Sequence, residues 1–121
     1  MKGKYTITRY YDNGQLKYEE NFKDGELDGL FKVWYDNGQL EKEVNYKAGK
    51  RDGIRKRWYS SGKLESKTNF KDGKLDGLSI GWHGSGVCQK EEIYKDGVRQ
   101  WGEHHQEGLV EWYKTEEERK A

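Results

Sequence analysis

The stretch Tyr11-Asp12-Asn13-Gly14-Gln15-Leu16 returns 24 residues later as Tyr35-Asp36-Asn37-Gly38-Gln39-Leu40. It returns again as Tyr59-Ser60-Ser61-Gly62-Lys63-Leu64, and in decayed form as His83-Gly84-Ser85-Gly86-Val87-Cys88. Two further landmarks keep this register. One is Phe22-Lys23-Asp24-Gly25 with Tyr46-Lys47-Ala48-Gly49, Phe70-Lys71-Asp72-Gly73 and Tyr94-Lys95-Asp96-Gly97. The other is Asp28-Gly29 with Asp52-Gly53 and Asp76-Gly77. Eleven of the 16 glycines thus fall at three fixed phases, so they read as turn residues of a repeat array.

Each copy predicts two short strands. In the second, Leu30, Lys32 and Trp34 alternate with Phe31, Val33 and Tyr35, and beyond the turn Leu40, Lys42, Val44 and Tyr46 alternate with Gln39, Glu41, Glu43 and Asn45. Asp36-Asn37-Gly38 has the form of a three-residue hairpin loop whose glycine takes the left-handed conformation after a type I turn. With Tyr35 and Gln39 flanking the loop, Trp34 falls opposite Leu40. Unbroken alternation then places three rows on one face: Tyr10, Trp34, Trp58 and Trp82; Leu16, Leu40, Leu64 and Cys88; Phe22, Tyr46, Phe70 and Tyr94. The fold class this predicts is all-β, an elongated antiparallel meander of repeated hairpins. Two strands per copy at about 4.8 Å spacing extend it to roughly 40 Å. The absence of proline suits such a ladder.

The predicted organisation is four repeats over 5–101 (5–29, 30–53, 54–77 and 78–101), then a cap strand and tail over 102–121. The pattern lapses from Val98 to Gln106, through Trp101-Gly102-Glu103-His104-His105. Gly108-Leu109-Val110-Glu111-Trp112-Tyr113 then echoes Gly29 to Tyr35 one residue short. Thr115 to Glu118 has capping-box spacing, but too few residues follow for a helix, so a frayed tail is expected.

Composition bounds the rest. The chain has 121 residues, 37% charged and 31% hydrophobic, and Leu, Ile, Val and Phe total only 20. Its 17 large aromatics, at about 150 to 250 Å² each, must supply the buried area. On that energetic argument the indole row is expected to be the sheet's buried stripe. No apolar run reaches the roughly 18 residues of a membrane helix, the opening Met1-Lys2-Gly3-Lys4-Tyr5 lacks a signal-peptide pattern, and Cys88 is alone, so a cytoplasmic location is expected. With 23 basic and 22 acidic residues, bulk charge draws neither nucleic acid nor lipid.

No catalytic constellation emerges, and neither a metal nor a cofactor is expected. His83, Cys88, His104 and His105 lack ligand spacing. Cys88 reads as a small core residue, His83 as a sheet-surface residue on the opposite face. Glu19-Glu20 and Glu91-Glu92 point to alternate faces, as neighbours on a strand must.

Gly-Leu-x-x-x-Trp-Tyr-x-x-Gly-x-Leu followed by Tyr-Lys-x-Gly-x-x-x-Gly resembles the MORN repeat, in the short variant of bacterial proteins similar to the YwqK antitoxin. The resemblance spans about residues 5 to 100 and rests on Trp34-Tyr35, Trp58-Tyr59, the turn glycines and the Leu16 and Phe22 rows. It implies a curling β-sheet that binds proteins or lipid head groups and has no catalytic residues.

Binding is expected where the copies disagree, on the face opposite the indoles. Phe31, Val33, Tyr35 and Tyr59 are the candidate anchors there, and Arg55, Arg57, Lys63 and Lys67 the candidate basic group. Cross-strand Arg to Glu pairs on a solvated face are the competing reading. The expected function is a non-catalytic protein-binding module, an antitoxin-like or other small inhibitor that occludes a toxin or other enzyme. A phage-coded inhibitor of a host-defence enzyme would look the same. Lipid head groups or nucleic acid held by Lys42, Arg55, Arg57, Lys63 and Lys67 form the alternative. The edge strand Tyr5 to Tyr11 offers a route to a homo-oligomer.

Overall fold

The computed structural model describes residues 2–106 and 109–113, with side chains described for 2–103. Ten strands follow one another in a single antiparallel sheet in strict chain order. They are β1 (Lys4–Tyr10), β2 (Leu16–Lys23), β3 (Glu26–Trp34), β4 (Leu40–Lys47), β5 (Lys50–Trp58), β6 (Leu64–Lys71), β7 (Lys74–Trp82), β8 (Cys88–Lys95), β9 (Val98–Gln106) and β10 (Leu109–Tyr113). The described residues contain no helix, and so none long and apolar enough to cross a membrane.

Two turn types alternate along the chain. At the first, Tyr35 N–H donates to the Gln39 carbonyl at 2.8 Å and Gly38 N–H to the Tyr35 carbonyl at 3.1 Å, with Gly38 at φ 86°. That is the expected three-residue loop, and Trp34 does pair with Leu40. At the second, two residues both take positive φ, as in Ala48 (48°) and Gly49 (81°). Such a turn matches the right-handed twist of its strands. Asp24, Asp72 and Asp96 fill the first of these positions in the other copies.

Two bulges per repeat change which residues share a face. The register shifts between Val33 and Trp34, so Val33 pairs with Lys42 while Trp34 pairs with Leu40, leaving Glu41 as the extra residue. Beyond it the alternation is inverted: Phe31 lies opposite Val44, and Gly29 opposite Tyr46. The Phe22, Tyr46, Phe70 and Tyr94 row therefore belongs to the face of Phe31 and Val33, not to the indole face. The ring contacts agree. Phe31 meets Tyr46 edge-on at 6.3 Å, and the Arg55 guanidinium lies 5.1 Å from the Phe70 ring centre.

A second shift falls at Asn21, Asn45 and Asn69. Each asparagine amide donates across it to a carbonyl of the next strand: Leu30 at 2.7 Å, Ile54 at 3.0 Å and Leu78 at 3.0 Å. The opposed Gly29, Gly53 and Gly77 take φ of 102°, 97° and 98°, a region closed to most side chains. In the fourth copy Ile93 and Trp101 pair directly and only a smaller shift remains. The stretch from Val98 to Gln106, where the pattern lapses, is nonetheless strand β9, because backbone pairing needs no side-chain signature. It runs across the expected repeat boundary at 101. The last strand, β10, pairs with β9 alone among the described residues, and the tail from Lys114 lies outside them.

The core sits on the face expected to be free. Val44, Phe70, Thr68, Ser79, Glu92 and Arg99 are the buried non-glycine residues among those described, and all belong to the Phe31 side. The described residues form one sheet and no second layer, so these residues leave solvent under the long side chains beside them on the same face, termed the inner face. Trp34, Trp58 and Trp82 are half-buried on the outer face, and Tyr10, first in their row, is 62% exposed.

Candidate functional site

Pairing carries one row across nearly the whole inner face: Ile7, Glu20, Phe31, Val44, Arg55, Thr68, Ser79, Glu92 and Gly102. A parallel row runs Arg9, Tyr18, Val33, Lys42, Arg57, Ser66, Gly81 and Lys90. Cross-strand partners project to the same side, so these positions form one surface. Along it the character passes from apolar at Phe31, Val33 and Val44, through basic at Arg55 and Arg57, to hydroxyls at Ser66, Thr68 and Ser79. A hollow of about 340 Å³ lies over the basic and hydroxyl part, with Tyr59, Glu65, Lys90 and Glu92 in its walls.

The two ends of the hollow handle charge differently. Glu92, only 3% exposed, accepts from Arg99 Nη1 at 2.8 Å and from the Tyr94 hydroxyl at 3.2 Å, with Lys90 Nζ at 3.8 Å. This network follows from the altered fourth copy, where Arg99 stands at the phase of Leu27, Arg51 and Leu75. At the other end Arg51 and Arg55 both lie over the Phe70 ring, at 5.3 and 5.1 Å. Among the described residues, Arg51, Arg55 and Arg57 have no carboxylate within 4.0 Å, and the buried Arg55 Nε has no acceptor. The Arg55 guanidinium is accordingly pushed below its usual range, first by burial and then by Arg51 and Arg57. The cross-strand Arg to Glu pairing weighed from sequence is not formed at these residues.

The expected binding residues divide into three groups. Phe31, Val33, Arg55 and Arg57 come together on the inner face. Tyr35 and Tyr59 stand beside them, but their hydroxyls donate to the Trp58 and Trp82 carbonyls at 2.6 Å, as Tyr11 does to Trp34. They bind repeat to repeat. Lys63 is exposed in a turn, and Lys67 pairs with Lys56 and Ile80 on the outer face. Lys67 does not join the arginines, because the bulge at Glu65 inverts the alternation that placed it there.

Glu92, Arg99, Thr68 and Ser79 escaped the candidate set. The inversion comes with strands of unequal length, eight residues in β4 and nine in β5, a property of the folded sheet that the 24-residue pattern does not show. Cys88 pairs with Trp82 and donates to the Lys90 carbonyl at 3.6 Å. Burial, then the carboxylates of Glu91 and Glu103, push its thiol up. Among the described residues no group of three or more His, Cys, Asp or Glu is placed to hold a metal. The side chains of His104 and His105 lie outside the described residues.

The family model described as MORN repeat variant matches residues 6–24, 27–48 and 51–72, together more than half of the chain. No curated protein matches it.

Proposed function

Because the chain belongs to the MORN repeat variant family, whose repeats form a binding module, we propose that it is a non-catalytic protein-binding module that holds a partner against the inner face of its sheet. The partner's own working surface is then occluded, as by an antitoxin-like or other small inhibitor, and the encounter takes place in the cytoplasm. One observation carries this reading. The residues that repeat from copy to copy, the turn glycines, the asparagines and the tyrosines, are engaged in holding the repeats together, whereas the inner rows change character at every copy. Varied, partly apolar, partly charged surface is what a specific interface requires. Phe31, Val33, Arg55 and Arg57 are its centre, with Tyr35 and Tyr59 as rigid flanks.

The alternative, anionic lipid or nucleic acid, would need its basic residues on one surface. Here Lys42, Arg55 and Arg57 face inward, Lys63 stands on a rim and Lys67 faces outward. Its mark is binding that falls steeply between about 50 and 200 mM salt.

The test is capture of the partner by immobilised protein, with substitutions on each face. Val33→Asp inside should abolish capture and Lys67→Glu outside should leave it intact. The reverse pattern would exclude the inner face.

A further inference from the structure

At one end of the hollow Arg55 and Arg57 carry charge with no carboxylate within 4.0 Å among the described residues. Arg55 and Arg57 stand two residues apart on one strand, so their side chains leave the same face about 6.6 to 6.8 Å apart. Arg51 lies over the same Phe70 ring as Arg55, 5.3 Å from its centre. Like charges crowd one another here, and burial further disfavours the Arg55 guanidinium. A buried donor left without an acceptor costs on the order of 1 to 3 kcal/mol, and more when charged. By contrast Glu92, which lines the same hollow, is neutralised within the chain by Arg99 and Lys90.

Resting on the binding-module reading, we propose that the hollow is a carboxylate receptor. It takes an extended acidic segment of the partner protein, with two carboxylates at alternate positions, onto Arg55 and Arg57. Alternation is the argument for an extended chain, since strand side chains on one side repeat at the same spacing as the two arginines. The hydroxyls of Ser66, Thr68 and Ser79 supply neutral donors behind the carboxylates. Phe31 and Val33 lie two strands further along the same rows, beyond Val44 and Lys42, and so outside the stretch that the two carboxylates occupy. The hollow favours a protein segment over other anions' carriers: a flat lipid surface or a duplex presents its phosphates on a broad face, whereas Arg55 and Arg57 line a space of about 340 Å³. Guanidinium forks bind carboxylates in two parallel hydrogen bonds, which adds directional selectivity.

The experiment follows the Arg55 Nε–Hε resonance of the full chain by NMR at about 50 mM salt. Three probes are titrated: a blocked peptide alternating Glu and Gly, its Gln counterpart, and inorganic phosphate. The expected result is a saturable shift with the Glu peptide, at least tenfold weaker with the Gln peptide and with phosphate, and weakened at least tenfold by Arg57→Gln. Arg57→Lys, which keeps the charge but not the fork, should lose part of the affinity, and an unchanged amide spectrum elsewhere shows that each variant is folded. No saturable shift, equal response to phosphate, or indifference to Arg57→Gln would overturn the proposal. If capture of the partner is lost in Val33→Asp yet survives Arg55→Gln with Arg57→Gln, the carboxylate receptor fails while the inner-face module stands.

Discussion

The phenolic oxygen of Tyr35 lies 2.6 Å from the Trp58 carbonyl oxygen, to which it donates from the preceding repeat. Tyr11 to Trp34 and Tyr59 to Trp82 repeat this bond at the same length. The series stops at His83, where the fourth copy departs from the pattern. A tyrosine conserved across three copies is thus a clamp between them.

Tyr35→Phe removes one clamp and leaves the Trp58 carbonyl without it. The loss should be about 0.5 to 1.5 kcal/mol, read as a lower urea midpoint. An unchanged midpoint would mean that water replaces the hydroxyl without cost.

The same hydroxyl gives the protein an alkaline limit. Burial, then Glu41 and Glu65, raise the Tyr35 pKa above its ordinary 10.0, while Arg57 opposes them. The folded state therefore keeps this proton where the unfolded chain has begun to lose it. Its contribution is complete below about pH 10 and declines as pH rises through the folded pKa. A thermal midpoint that falls above pH 10, and falls less in Tyr35→Phe, is the expected outcome.

Asn45→Ala should destabilise by about 1 to 3 kcal/mol, because it orphans the Ile54 carbonyl that Asn45 reaches at 3.0 Å. Hydrogen exchange should quicken at the β4–β5 bulge before it does elsewhere. Equal exchange along β5 would show that the amide is not needed there.

Ala48 occupies a left-handed position, φ 48°, where the other three copies have aspartate. For an ordinary L residue that conformation costs roughly 1 to 2 kcal/mol, and Asn or Asp tolerates it better. Ala48→Asn should therefore raise the thermal midpoint.

Cys88 should alkylate slowly. Its thiol is pushed up by burial and by Glu91 and Glu103, so less thiolate is present at a given pH than in a free cysteine. Modification by iodoacetamide at pH 8 should lag a cysteine peptide and accelerate on unfolding.

Much of the fold is legible because turns are written in local chemistry. The Asp36-Asn37-Gly38 loop, the pairing of Trp34 with Leu40 and the 24-residue register all follow from residues near one another. Which face each residue occupies does not, because parity is global along a strand. One extra residue at Glu41 inverts everything from Lys42 to Tyr46, and a reading in strict alternation carries that error into every copy. The site was half legible for the same reason. Phe31, Val33, Arg55 and Arg57 precede the bulge and share a face as expected, while Lys67 follows one and does not. Glu92 and Arg99 meet only because the fourth copy lacks the Asn and Gly of the others, and a departure from a pattern does not state what replaces it.

Among the described residues each strand is hydrogen-bonded to its predecessor and successor alone, and no strand pairing joins the beginning of the sheet to its end. Such a molecule behaves like a zip rather than a knot: it frays from its tips inward, and tension on the termini would open it tooth by tooth. Size is correspondingly negotiable in evolution, since a whole module can be duplicated or excised without redesigning distant parts.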